Sequence, residues 1–302
     1  MLAPAPDVDP SLEAIEKNIE NSKFEDVLSP LSDYLKGHPG SSRAYYDLGY
    51  ALFRAHKIGD SIRELSKSLQ LNLNSAEAHK ILGLDCTMVG RYDLAEAELQ
   101  DAARLKPESA EIHYLLGRTY YTREVYPLAR QEFETVIRMD PSYMKAYNNL
   151  GLTMEVLGFD AAALKDYLTA ARLDVQQDLR SEWPYVYLSA FHNRKQQPAE
   201  AVAYAQKALE VNPRSDLAYF QIAKANRDKG EWQKAADAAS RAIAIDSRTP
   251  DFYYLLSVVL RKLGRQTESE QALATFEKLQ QQSAHRLTDR PPQEPLAAPS
   301  PR

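Results

Sequence analysis

The sequence predicts an all-α solenoid of stacked helix pairs, on three observations. Large apolar residues recur at a step of thirty-four: Leu48, Leu82, Leu116, Leu150, Leu188, Ile222 and Leu256, with four extra residues intervening once. Small residues keep the same step at Ser61, Ala95, Ala129, Ala163, Ala201, Ala235 and Ser269. Inside each period the apolar positions fall three and four apart, the mark of amphipathic helices. A period between twenty and fifty residues signals stacked units, none of which can bury its apolar face alone.

Seven full units follow, at 42–75, 76–109, 110–143, 144–177, 182–215, 216–249 and 250–283, with a single insertion at 178–181. With places in a unit numbered from one, apolar residues at 4, 7 and 11 outline a first helix. Those at 17, 20, 24, 27 and 30 outline a second. Gly90, Gly158, Gly230 and Gly264, at place 15, suit the turn between the two helices. Pro107, Pro141 and Pro213, at place 32, lack an amide hydrogen and stop the second helix. Place 8 holds Gly49, Gly83, Gly117 and Gly151, then Ser189, Ala223 and Ser257. Glycine inside a helix costs about 1 kcal/mol relative to alanine, so another helix must approach the backbone there. The small column at place 20 is expected to supply the facing surface.

Residues 1–10 read as a flexible N-terminus and residues 11–41 as a degenerate N-terminal repeat or cap. Pro30 is expected to kink the second helix of that cap. Val175 stands where a proline would close the fourth unit. Its second helix is therefore expected to run on towards Leu179, with Trp183-Pro184 opening the next unit and a change of curvature between. Residues 284–302, with five prolines from Pro291 onward and almost no apolar anchors, read as a disordered tail.

An aromatic residue near place 4, Leu-Gly at 7–8, an aromatic at 11, alanine at 20 and 27, and proline at 32 together resemble the tetratricopeptide repeat family. The second unit, AEAHKILGLDCTMVGRYDLAEAELQDAARLKPES, fits this pattern closely. The resemblance spans residues 42 to about 280. It implies a right-handed α-α superhelix of seven helix-turn-helix repeats plus the degenerate N-terminal one, and a role in binding other proteins.

Composition and motifs exclude most other classes. One cysteine, Cys86, rules out an internal disulfide framework. No run of eighteen apolar residues spans a membrane, and a net charge of −5 gives no global field for nucleic acid. The opening MLAPAPDVDP lacks the charged start and apolar run of a signal peptide. A cytoplasmic location is expected; the alternative is a periplasmic or exported protein whose leader has been removed. His79, His113 and Cys86 lack zinc-ligand spacing, and His79 and His113 occupy the packed place 4, so they read as core residues. No phosphate loop, nucleophile elbow or nucleophile–base pair is present, so no enzyme, metal or cofactor is expected.

The resemblance makes the first helices the wall of a concave groove, with places 2, 5, 9, 12 and 13 facing inward. Basic residues outnumber acidic ones ten to five at these places; Asp47, at place 6, takes one unit back. Arginine and tyrosine contribute disproportionately at protein interfaces. The candidate ligand-binding residues are Tyr46, Tyr50, Phe53, Arg54, Lys80, Leu84, Tyr114, Arg118, Tyr121, Lys145, Asn148, Asn149 and Leu152. The expected partner is an acidic, apolar-anchored protein segment, with the chain as a non-catalytic adaptor. Neither the family's carboxylate clamp nor an asparagine ladder at place 6 is present. Alternatives are an assembly factor for a pilus or secretion machine, or an accessory subunit of a separately encoded enzyme. Leu273 and Phe276 on the last helix offer a surface for self-association.

Overall fold

The computed structural model describes residues 9–288, with side chains placed through residue 282. The chain forms two compact units, Met1–Pro141 and Ser142–Arg302. In the first unit run α1 (Pro10–Glu20), α2 (Leu28–Gly37), α3 (Ser42–Arg54), α4 (Ile58–Leu71), α5 (Ala76–Met88), α6 (Tyr92–Leu105), α7 (Ala110–Thr122) and α8 (Tyr126–Met139). The second holds α9 (Met144–Val156), α10 (Asp160–Gln177), α11 (Trp183–Arg194), α12 (Pro198–Val211), α13 (Asp216–Asp228), α14 (Trp232–Ile245), α15 (Pro250–Lys262) and α16 (Gln266–Thr288). Among the described residues there is no strand. The fold is an all-α repeat solenoid.

Each full repeat is one helix pair, and each second helix packs on the next first helix within its unit. First helices also touch one another directly, α1 on α3 on α5 on α7 in one unit and α9 on α11 on α13 on α15 in the other. Each unit therefore carries a continuous wall of first helices.

Helix starts are fixed by a column that the apolar periodicity does not reveal. Ser41, Ser75, Ser109 and Ser215, at place 34, each accept a hydrogen bond from the backbone amide three residues on, at 3.2–3.4 Å. Such a cap is worth about 1 kcal/mol. The turn at place 15 is left-handed in every full repeat. Glycine fills it at Gly90, Gly158, Gly230 and Gly264, while His56, Glu124 and Gln196 hold the same conformation without one. The capping amide bonds seen at Lys57, Val125 and Gln197 compensate part of that strain.

Three expectations need correction. Pro30 does not kink a helix: residues 24–27 are turns, α2 starts at Leu28, and Pro30 sits in its first turn, where no amide hydrogen is required. The start of the chain is ordered from Asp9, whose carboxylate accepts the Ser11 amide and caps α1. At the other end α16 continues to Thr288, five residues into the stretch read as a disordered tail. Residues 1–8 and 289–302 lie outside the described residues.

The second helix before the insertion is longer, as expected, although the missing proline is not sufficient for this: α4 and α14 also lack it, at Leu73 and Ser247, and have 14 residues. α10 has 18 residues where its counterparts have 14. It stops at Asp178, which is left-handed, and the Asp174 carboxylate accepts the Ser181 amide to close the loop. The insertion lies inside the second unit; the division between units falls one repeat earlier, after Pro141.

The glycines at place 8 face the residue at place 24. A Cβ on Gly117 would stand 2.7 Å from the ring of Phe133, and one on Gly151 2.6 Å from Tyr167. Both rings are fully buried and have nowhere to move. Place 20 lies against the same backbone, where the Ser61 hydroxyl reaches the Gly49 carbonyl at 2.8 Å. Gly117→Ala should therefore destabilise the fold by about 1–3 kcal/mol despite alanine's better helix propensity. In a urea-denaturation double-mutant cycle, Gly117→Ala should cost less in a Phe133→Ala background, alanine being the residue place 24 carries where place 8 is Ser189 or Ala223. Simple additivity of the two changes would count against the steric account.

Candidate functional site

The wall of the first unit is built on α3, α5 and α7. The Tyr46 and Tyr50 rings lie parallel with centroids 6.2 Å apart. Phe24 meets Tyr50 edge-on at 5.9 Å, and the Arg54 guanidinium lies 4.2 Å above Phe24 while donating to the Tyr50 hydroxyl at 2.8 Å. Tyr46, Tyr50, Phe53 and Leu84 also pack against the core formed by Leu65, Leu69, Ile81 and Leu82. They are half-buried plugs between helices rather than free anchors. Burial, reinforced by the carboxylates of Glu77 and Asp47, pushes the Tyr46 hydroxyl up to about 12.

On α7 the Arg118 guanidinium lies 5.9 Å from the Tyr114 ring centroid, and Tyr121 meets Tyr126 edge-on at 5.5 Å. Tyr114 and Tyr121 are half-buried; Arg54 and Arg118 are exposed.

Lys80 differs from the exposed cation expected of a ligand-binding residue. Its side chain is 13% exposed, with the ammonium between Glu77 at 2.7 Å and Glu111 at 2.9 Å. Lys106 holds Glu77 in turn at 2.8 Å, so the chain of charges is closed within the protein. Asp47 also departs from expectation. Burial and the adjacent Glu16 push its carboxyl up to about 8, so near neutral pH it subtracts little charge from the wall.

The remaining candidates lie on α9, in the second unit. Lys145 is exposed and Leu152 half-buried. Asn149 donates to the Lys145 carbonyl of its own helix at 2.9 Å. Asn148 is a correction: it is 3% exposed and its amide points at Met144 Sδ, 3.2 Å away, so it does not face a ligand. Helical spacing placed it on the wall, but its side chain is sealed from solvent.

The second unit shows what counting aromatic residues overlooked. Val156, Trp183 and Tyr254, at wall places 13, 2 and 5, are 51%, 45% and 52% exposed. Phe220 on α13 carries Lys224 over its ring at 5.4 Å. Cation-on-ring pairs four residues apart thus recur along the walls, at Tyr50/Arg54, Tyr114/Arg118 and Phe220/Lys224.

The other titratable residues serve packing. His79 Nδ1 meets Glu98 at 2.6 Å and Nε2 meets the Leu73 carbonyl at 3.1 Å; His113 repeats both contacts with Glu132 and the Pro107 carbonyl. Burial, with Glu98 beside it, pushes the Cys86 thiol up to about 12, far from a reactive thiolate. Among the described residues no three potential ligands gather as a metal site, and no helix is long and apolar enough to cross a membrane.

The sequence pattern described as "Tetratricopeptide repeat" matches residues 89–133 and 194–250. A solved tetratricopeptide repeat protein from Parabacteroides merdae ATCC 43184 superposes with a TM-score of 0.68, covering 82% of this chain and 97% of that one at 15% identity. Residues 89–133 and 194–250 are thus tetratricopeptide repeats. Crystalline MamA is 26% identical with a TM-score of 0.53, over 57% of this chain and 98% of its own. The APC/C hetero-tetramer Cut9–Hcn1 aligns over 92% of this chain and 55% of that one, at 15% identity and a TM-score of 0.64. No curated protein matches. The tetratricopeptide repeat is a protein-interaction scaffold, and the family matched is not a catalytic one.

Asp85 gives the wall's support a measurable signature. Burial pushes its carboxyl up to about 6 against the lowering contact of the Ser61 hydroxyl at 2.6 Å. An unfolded aspartate titrates near 3.9, so between about pH 4 and 6 the folded chain holds the extra proton. The stabilisation is complete below pH 4 and is lost as pH rises through 6, on the order of 2–3 kcal/mol. Asp85→Asn should abolish this component: its stability relative to the parent, from denaturant unfolding at pH 4.5 and 7.5, should rise with pH. Parallel profiles would refute the assignment.

Proposed function

We propose that this protein is a non-catalytic adaptor that holds an acidic segment of a partner protein, with apolar anchors, along its walls of first helices. One observation carries this reading: the recurrent placement of a cation on an aromatic ring. Each pair offers an anion a charge and an apolar side chain a flat surface within one helical turn. Within the first unit the proposed contacts are Tyr50 with Arg54, Tyr114 with Arg118, and Tyr121; Lys145 and Leu152 are candidates on the wall of the second unit by itself. Tyr46, Phe53 and Leu84 support these from beneath, and Lys80 and Asn148 leave the contact set. Half-burial of the rings favours affinity, because a fixed ring loses little freedom when a ligand lands on it.

Selection of displayed random peptides against the purified protein tests the reading. Acidic peptides with one or more large apolar residues should be enriched. Arg54→Glu with Arg118→Glu should weaken the selected peptides at least tenfold while leaving helicity and the unfolding midpoint nearly unchanged, since both side chains are exposed. Raising salt from 50 to 500 mM should weaken binding as well. Enrichment of basic or uncharged sequences, or indifference to the double reversal, would defeat the proposal.

A further inference from the structure

Lys224 on α13 stands apart from every other half-buried cation on the walls. Its stem packs along Phe220, whose ring is wedged against the fully buried Phe252 at a centroid distance of 4.9 Å. The ammonium is therefore held over the Phe220 ring, 5.4 Å from the centroid. Two guanidinium groups stand close enough to act on it, Arg194 on α11 and Arg227 on its own helix. Each already has a carboxylate: Glu155 takes Arg194 through two bonds, and Asp228 takes Arg227 at 2.8 Å. Among the described residues none places a carboxylate within 4 Å of the Lys224 ammonium, although Asp228 and Asp251 lie farther off in its surroundings.

Lys80 shows the arrangement when such a lysine serves the fold: two carboxylates close on it. At Lys224, burial and the two neighbouring cations instead make the charged form costly and lower its proton affinity. A lysine in that position that served only packing would be better replaced by an apolar side chain. The unmet charge therefore points outward, to a ligand.

We infer that Lys224 is the receptor for a carboxylate on the acidic segment, with the exposed Tyr254 on the adjoining α15 taking an apolar residue of the same segment. The inference rests on the adaptor reading and moves its charge-reading contact into the second unit. A carboxylate fits better than a phosphate. Arg194 and Arg227 are committed to their own carboxylates, leaving one ammonium to meet the ligand. Asp228 and Asp251 oppose the second charge that a phosphate carries near neutral pH.

One test needs no ligand. Lys224→Met should raise the thermal unfolding midpoint by one or more degrees at pH 7.5; a fall would show that the fold satisfies the ammonium, and would overturn the inference. The second uses a glutamate-containing peptide from the display selection and its glutamine and phosphoserine counterparts. Lys224→Met should weaken the glutamate peptide about tenfold or more and remove the preference for glutamate over glutamine, while Lys224→Arg retains it. Peptides that bind through Arg54 and Arg118 but ignore Lys224→Met sink this site and leave the adaptor reading standing. Failure of all acidic peptides, with the midpoint raised as expected, sinks the adaptor reading instead. Preference for phosphoserine would overturn the choice of carboxylate.

Discussion

Everything in this fold depends on how closely the two helices of a pair approach, and that distance is set by the residues at places 8 and 24 together. Glycine at place 8 is matched with a bulky residue at 24: Gly49 with Leu65, Gly83 with Leu99, Gly117 with Phe133, Gly151 with Tyr167. After the insertion the balance inverts, with Ser189 and Ala223 at place 8 and the fully buried Ala205 and Ala239 at place 24. In these two repeats a larger residue at place 8 goes with a smaller one at place 24, while the last repeat keeps Leu273 at place 24 with Ser257 at place 8. With the pair distance fixed, each first helix presents the same face to the wall, and chemistry on that face can vary unit by unit.

Periodicity made the architecture legible because burial repeats with it. The columns at places 7 and 20 located each pair, the prolines at 32 closed three of them, and the four-residue insertion marked the repeat that holds the longer α10. What periodicity could not convey was any contact peculiar to one unit. Asn148 and Lys80 occupy wall places by spacing, yet one is sealed beside Met144 and the other is enclosed by Glu77 and Glu111. Pro30 looked like a break only because the register of α2 was set by apolar spacing rather than by the turns before it. The serine caps at place 34 were readable from the sequence, since serine before an apolar-periodic stretch is a start signal.

Charge on the walls follows the same division between the repeated and the particular. Formal counting gives an excess of basic residues, but pairing decides which of them can act. Arg43 is bonded to Glu16 and Lys80 to two glutamates, so both are spent inside the protein. Arg54 and Arg118 lie on rings and are exposed, and Lys224 has neighbours that repel it. A wall built from identical scaffolding thus holds three electrostatic situations: neutralised, available and unmet.

The dependence of each helix pair on the adjacent pairs within a unit has a further consequence. A helix pair meets only the pairs beside it, so the backbone amides of a unit need not open in a single event. In the second unit, among the described residues, α16 packs on α15 alone. Its exchange with solvent deuterium is therefore governed by one interface, whereas α13, sandwiched by α11, α12, α14 and α15, opens only when a whole slab separates. Lys224 sits on that slab, so the fold keeps this repelled charge where such opening needs several interfaces to part.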